Sequence, residues 1–304
     1  MKKVFSKTQL CELARYGQET LIIPEGFEVL ESNTFRGSKF KKIIIPSGVK
    51  HIRTDCFAFC NELETIEIPD SVEIIESGAF ANCKKLHTVK LSASLKEIPS
   101  LLFIGCEKLK NIDIPDAVTK IGYNAFLGCY EFENLTGGSH VSEIGHEAFK
   151  DCWELKKFNT FISLKRIGHE AFVRCKNLSE VKLPASLIYI NDDIFTGCES
   201  LEKISIPKQI TTIDKFFFYG LSNLKEVVFE APCCNIDKTA FDMINQNQDL
   251  KIYASKETIK NNPHLSQYFK DIDNLDVLIE TAGKSLKEIN DLIKSVNVCE
   301  ENNR

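Results

Sequence analysis

The chain predicts an α/β solenoid of about ten stacked 23-residue units, with one parallel sheet along one side and short helical or 3-10 turns opposite. Three observations carry this. Phe57, Phe80, Phe103, Phe126, Phe149, Phe172, Phe195, Phe218 and Phe241 recur every 23 residues, and Phe35 precedes Phe57 by 22. Three residues after Phe stand Cys60, Cys83, Cys106, Cys129, Cys152, Cys175 and Cys198, so seven of the 12 cysteines occupy one repeat position. Nine and eleven after Phe lie apolar pairs such as Ile66/Ile68, Ile112/Ile114, Val181/Leu183 and Ile204/Ile206, with Pro69, Pro115, Pro184 and Pro207 closing the segment. A fixed period of this length is the mark of a repeat architecture, in which a unit too small to bury its own apolar side stacks on its neighbours.

The elements follow from spacing. In Ala-Phe-x-x-Cys-x-x-Leu the apolar members are three apart, as on one face of a helical turn, whereas Ile-x-Ile-Pro alternates with period two as a short strand does. Stacking sets like strands about 4.8 Å apart and makes them one parallel sheet, with Pro tolerated where ladder pairing stops. Residues 1–20, with Val4, Leu10, Leu13 and Ala14 among polar neighbours, read as an N-terminal helical cap leading into Leu21-Ile22-Ile23-Pro24. The solenoid spans 21–254, and 255–304 form a C-terminal helical cap or tail. There Leu275, Ile279, Ala282, Leu286, Ile289, Ile293 and Val296 alternate gaps of four and three. That seam suits a helix folded back on the last rung. A homodimer through this helix is the second reading, disfavoured because Gly283 interrupts the seam at a cost of about 1 kcal/mol.

The pattern Leu63-x-x-Ile66-x-Ile68-Pro69-x-x-Val72-x-x-Ile75-x-x-x-Ala79-Phe80-x-x-Cys83, running from about Leu21 to Tyr253, resembles the BspA-type leucine-rich repeat. The resemblance implies a curved leucine-rich-repeat solenoid with its strands on the concave face. Known members include surface and adhesion proteins of bacteria and of parasitic protists.

Composition narrows the function classes. With 38 basic against 43 acidic side chains the net charge is −5, without the basic excess that nucleic acid or an anionic membrane requires. No segment approaches the roughly 20 apolar residues of a membrane span. Met1-Lys2-Lys3-Val4-Phe5-Ser6-Lys7 has a basic start with no apolar run behind it, so the expected location is cytoplasmic, with the cell surface as the alternative. The column of cysteines reads as buried free thiols filling small apolar sites, because an unbranched row does not converge tetrahedrally on one ion. Cys233 takes the repeat's Val position and is expected in the core, leaving Cys234 as an exposed thiol.

No nucleophile, phosphate-loop or metalloprotease motif is present, so no catalytic residue, cofactor or metal is assigned and the chain is read as a non-enzyme. His146 and His169, with Glu147 and Glu170, suggest a zinc pair, but this position holds Ser77, Tyr123 or Asp192 elsewhere and behaves as a solvated edge. Across the strand face, charges of opposite sign follow one another, as in Lys157-Glu180-Lys203-Glu226. Such neighbours hold register and neutralise the face, which suits a protein partner of mixed polarity. Units five and six break the pattern, with Leu135-Thr136-Gly137-Gly138 and Phe158-Asn159-Thr160-Phe161, and each is expected to lose an inward apolar residue. Repeat drift is the plainer explanation and a binding site the other, with Trp153, the single Trp, as its anchor. The expected function is a rigid scaffold binding a protein on its concave strand face through Asn111, Asp113, Asn134, Thr136, Trp153, Lys157, Asn159, Glu180 and Lys182. The alternative is a surface adhesin or antigen contacting host or matrix proteins.

Overall fold

The computed structural model describes residues 3–158, 161–191, 193–241, 244 and 250–266, and the backbone of 269–271. Each rung is a coil with three sides. The first is the alternating strand, in series Thr20–Ile22, Lys42–Ile44, Thr65–Glu67, Thr88–Lys90, Asn111–Ile114, Asn134–Gly137, Lys157–Phe158, Glu180–Lys182, Lys203–Ile206, Glu226–Phe229 and Lys251–Ala254. These pair in parallel in hydrogen-bonded segments of four, two and six strands, the last closed by Phe269–Asp271. Inward residues such as Ile66, Ile112 and Ile204 are buried, as period-two alternation requires.

The second side is a ladder of two-residue strands not anticipated from the spacing. It includes His51–Ile52, Ile74–Ile75, Lys120–Ile121, Glu143–Ile144 and Arg166–Ile167, and it places the Ile five before Phe in the core. Between the two ladders, Pro-x-x-Val turns close through bonds such as Val72 N to Pro69 O at 2.9 Å.

The third side is a row of turns around Phe. Amides there alternate between the rung above and the same turn: Phe57 N donates to Ala79 O at 2.8 Å, whereas Ala58 N donates to Asp55 O at 3.0 Å. The alternation is made by left-handed residues two before and two after Phe, such as Asp55 and Phe59, Asn124 and Gly128, or Asp193 and Gly197. Gly, Asn and Asp enter that region readily, but Leu101 (φ 61°) and Phe216 (φ 57°) adopt it against the strain on a bulky side chain.

The Phe rings are the spine. From Phe5 through Phe35 to Phe195, successive rings stack 4.8 to 5.8 Å apart, within 26° of parallel. The column thiols do more than fill space. Each donates its S–H to the carbonyl of the Phe one rung earlier, as Cys106 Sγ to Phe80 O at 3.1 Å and Cys152 Sγ to Phe126 O at 3.3 Å. Cys234 is buried and Cys233 exposed, the reverse of the expectation. Pro232 directly precedes Cys233 instead of standing three residues before the inward position, so the usual turn is lost. Cys234 N then donates to Thr258 Oγ1 at 2.9 Å.

Rungs approach most closely at Gly122, Gly145 and Gly168. A Cβ on Gly145 would lie 2.7 Å from the carbonyl carbon of Gly122 and 2.7 Å from Tyr123 N, both backbone atoms unable to swing aside. Gly145→Ala is therefore expected to lower stability by about 1–3 kcal/mol in a urea melt. An unchanged midpoint would show that the rungs separate freely at this point.

Both ends are covered. Val4–Phe5 extends the short ladder onto Val29–Leu30, and the helix Lys7–Leu13 follows, begun by Ser6 N donating to Gln9 Oε1 at 3.0 Å. At the other end the helix Lys256–Asn261 brings Asn262, fully buried, against the last short strand. Its Oδ1 accepts from Ile236 N at 2.9 Å and its Nδ2 donates to Cys234 O at 2.8 Å. One amide thus imitates the missing next strand. Asn262→Ala orphans both backbone groups and is expected to cost about 2 kcal/mol. Hydrogen exchange at the Ile236 amide should rise with it, and unchanged protection would refute the role. The seam from Leu275 to Val296 and Cys299 lie outside the described residues.

Candidate functional site

The strand face brings together four of the expected residues. Asn134 Nδ2 donates to Asn111 Oδ1 at 3.0 Å, and one residue pair along, Thr136 Oγ1 donates to Asp113 Oδ1 at 2.7 Å. Parallel register places them there, Asn111 opposite Asn134 and Asp113 opposite Thr136. They line an open groove of about 670 Å³ with Thr88, Val89, Leu135 and Lys157. Two rungs on, Lys157 pairs with Glu180 at 2.7 Å and Lys182 is exposed on the same strand as Glu180. Asn159 lies outside the described residues.

Trp153 stands apart from this group. It occupies the turn before its strand, where it packs on Tyr130 with ring centroids 4.3 Å apart. Its Nε1 donates to Asp151 Oδ1 at 3.2 Å, and Lys176 Nζ lies 5.3 Å above the ring. Arg174 Nε holds the same carboxylate at 2.6 Å. Burial raises the Asp151 pKa, but the bonds from Arg174 and Trp153 outweigh it and leave the group below the usual carboxylate range. Tyr130, one period before Trp153, was the partner the repeat register already indicated.

The irregular units prove to be a packing exchange. Phe158 and Phe161 are both buried, packed edge to face at 5.7 Å, so the sixth unit keeps its apolar filling. Phe161 reaches back over the fifth unit, where a Cβ on Gly138 would stand 2.5 Å from its ring. The lost side chain in one rung makes room for the extra ring of the next.

The charges of this face and its edges cancel across rungs. Lys90 pairs with Glu67, Lys156 with Glu133 at 3.1 Å and Lys225 with Glu202 at 2.8 Å. At the short-ladder edge His146 and His169 stand edge to face, 6.3 Å apart, while Glu147 and Glu170 both bind Lys150. The bond from Lys150 holds Glu147 below the usual carboxylate range. Among the described residues no group of three or more His, Cys, Asp or Glu is disposed to hold a metal ion, and no helix is long and apolar enough to cross a membrane.

The family model of the BspA type leucine-rich repeat region matches residues 14–136 and 142–269. Among solved structures, a leucine-rich repeat protein from Bacteroides ovatus is 25% identical over 84% of this chain and 84% of its own, with a TM-score of 0.49. A leucine-rich cell surface protein from Faecalibacterium prausnitzii is 23% identical over 90% and 87%, with a TM-score of 0.44. The pneumococcal vaccine antigen PcpA is 23% identical over 83% and 77%, with a TM-score of 0.44. No curated protein matches the chain.

Proposed function

The chain belongs to the BspA-type leucine-rich repeat family, and from that premise we propose that it is a non-enzymatic scaffold whose strand face binds a protein partner. Leucine-rich repeat proteins generally mediate protein interactions. The observation that carries the reading is the groove at Asn111, Asp113, Asn134 and Thr136, where side chains are paired with one another across the ladder and so pre-positioned. Order already present in the free protein lowers the entropy cost of association, and a neutral mixture of amide, hydroxyl and carboxylate suits a polar protein surface over a polyanion.

A reducing, cytoplasmic setting is part of the proposal. Its support is the column of thiols from Cys60 to Cys198, each retained as a donor to a Phe carbonyl and thus used in the reduced form. Surface labelling of intact cells that tags the protein would overturn this setting in favour of an adhesin or antigen.

The binding reading is tested with the purified solenoid as bait. Asn134→Lys with Thr136→Lys places two charges in the groove and should abolish capture of the partner, while Tyr219→Lys, on the turn row, should leave it intact. Undiminished capture by the double variant would refute the groove as the site.

A further inference from the structure

Exposure along the strand face changes towards its C-terminal end. The outward residues Glu180 and Lys182 are exposed, Lys203 and Ser205 are half-buried, and in the next strand Glu226 and Val228 are each 4% exposed, with Tyr253 beyond them at 7%. The strand Glu226–Phe229 is therefore buried on both faces. Flanking strands do not account for this. Glu180–Lys182 belongs to the same six-stranded segment, has a neighbour on each side, and keeps its outward side chains in water. Burial on both faces of a parallel strand takes a second layer.

Residue chemistry changes at the same place. Outward positions that carry Glu67, Lys90, Asp113 and Lys182 earlier become Val228 and Tyr253 here. Glu226 is satisfied by Lys203. Burial, then the Glu226 charge, raises the Tyr253 hydroxyl pKa. The strand Phe269–Asp271 pairs with Lys251–Ala254, so the chain leaves the sheet beside Tyr253 with residues 272–304 still to follow. Those residues carry an apolar series from Leu275 to Val296 with no described apolar partner.

We infer that the outward face of Lys203–Ile206, Glu226–Phe229 and Lys251–Ala254 is the seat of the chain's own C-terminal segment, 272–304, with its apolar series on Val228 and Tyr253. The surface free to take a partner then ends near Lys182, and the segment marks off the rest of the strand face. This assignment stands apart from the proposed function, because it concerns the covered end and holds whether or not the open end binds a protein.

The test uses the full chain carrying Val228→Cys, with Thr88→Cys on the open part of the same face as reference, and alkylation by N-ethylmaleimide read by peptide mass. The thiol introduced by Val228→Cys should react at least about tenfold more slowly than the one introduced by Thr88→Cys, as protection by a docked layer requires. Adding Leu286→Asp and Ile289→Asp should bring the protected thiol to within about threefold of the reference, while the reference rate stays unchanged and so reports that the solenoid is intact. Equal rates at the two introduced thiols before the Asp substitutions would overturn the inference, since nothing then covers the face. Protection that survives the two Asp substitutions would assign the layer to another part of the chain, and protection that falls on dilution would assign it to a second copy; either result refutes the seat proposed.

Discussion

Raising the pH from about 8 to about 11 is expected to unfold the reduced protein cooperatively, with a stability that starts to fall near the ordinary thiol pKa of about 8.5. Burial pushes up the thiols of Cys56, Cys106, Cys129, Cys152, Cys175, Cys198 and Cys234, to about 12 at Cys106 and Cys234. In the folded chain these groups stay protonated through the range, whereas in the unfolded chain each ionises above about 8.5. The unfolded state therefore binds fewer protons there, and stability present below that pH is lost above it. Each thiol takes about 1.4 kcal/mol per pH unit, and several acting together exhaust a stability of about 5–15 kcal/mol within one or two units. The Lys–Glu pairs of the surface lose charge only near about 10.4, so the interval below that belongs to the thiols. The measurement is the urea midpoint between pH 7 and 10 under reductant. Cys106→Ala with Cys129→Ala should lower the midpoint at neutral pH, by cavities and lost S–H donors, yet flatten its decline with pH. A midpoint constant up to pH 10 would refute the column as a buried, protonated set.

The same column illustrates how far the sequence could be read. Period, Phe spine and alternating strand were legible because each is a residue type at a fixed interval. The Lys157–Glu180 pair was legible for the same reason, being one period apart. The short ladder was not, since a two-residue strand such as Glu143–Ile144 has one inward side chain and no alternation to detect. Its glycines, Gly122, Gly145 and Gly168, were visible as a column but their meaning lay in the backbone of the next rung. The left-handed positions did leave a signal, Asn33, Asp55, Gly78 and Asn124 two before Phe and Gly37, Asn82, Gly105 and Gly128 two after. Leu101 and Phe216 in the same columns obscured it. Which side chain replaces a lost one is a tertiary question, so Gly138 read as a gap although Phe161 fills it. At the candidate site the register predicted that Asn111 and Asn134 are neighbours, but only the positions of the turn atoms show Trp153 joined to Tyr130.

Phe126→Ala should be the most damaging single truncation in the array, costing about 3–5 kcal/mol. The ring is fully buried, stacked 5.6 Å from Phe103 and 5.1 Å from Phe149, and a third ring, Phe132, lies 5.2 Å away. Alanine would leave a cavity bounded by backbone that the three ladders hold in place, so the rungs cannot close over it. A further consequence follows from the one-dimensional arrangement. Stability in a solenoid is a sum of rung terms and nearest-neighbour interfaces, and a central defect weakens two interfaces at once. The urea transition of the variant should therefore broaden or divide, with the rungs on one side of Phe126 melting before those on the other, where the parent melts in one step. Phe126→Leu, which keeps most of the volume, should recover more than half of the loss and restore the single transition. Should the alanine variant melt as one sharp transition with the parent midpoint, the stacked rings would be passengers, and the ladders alone would couple the rungs.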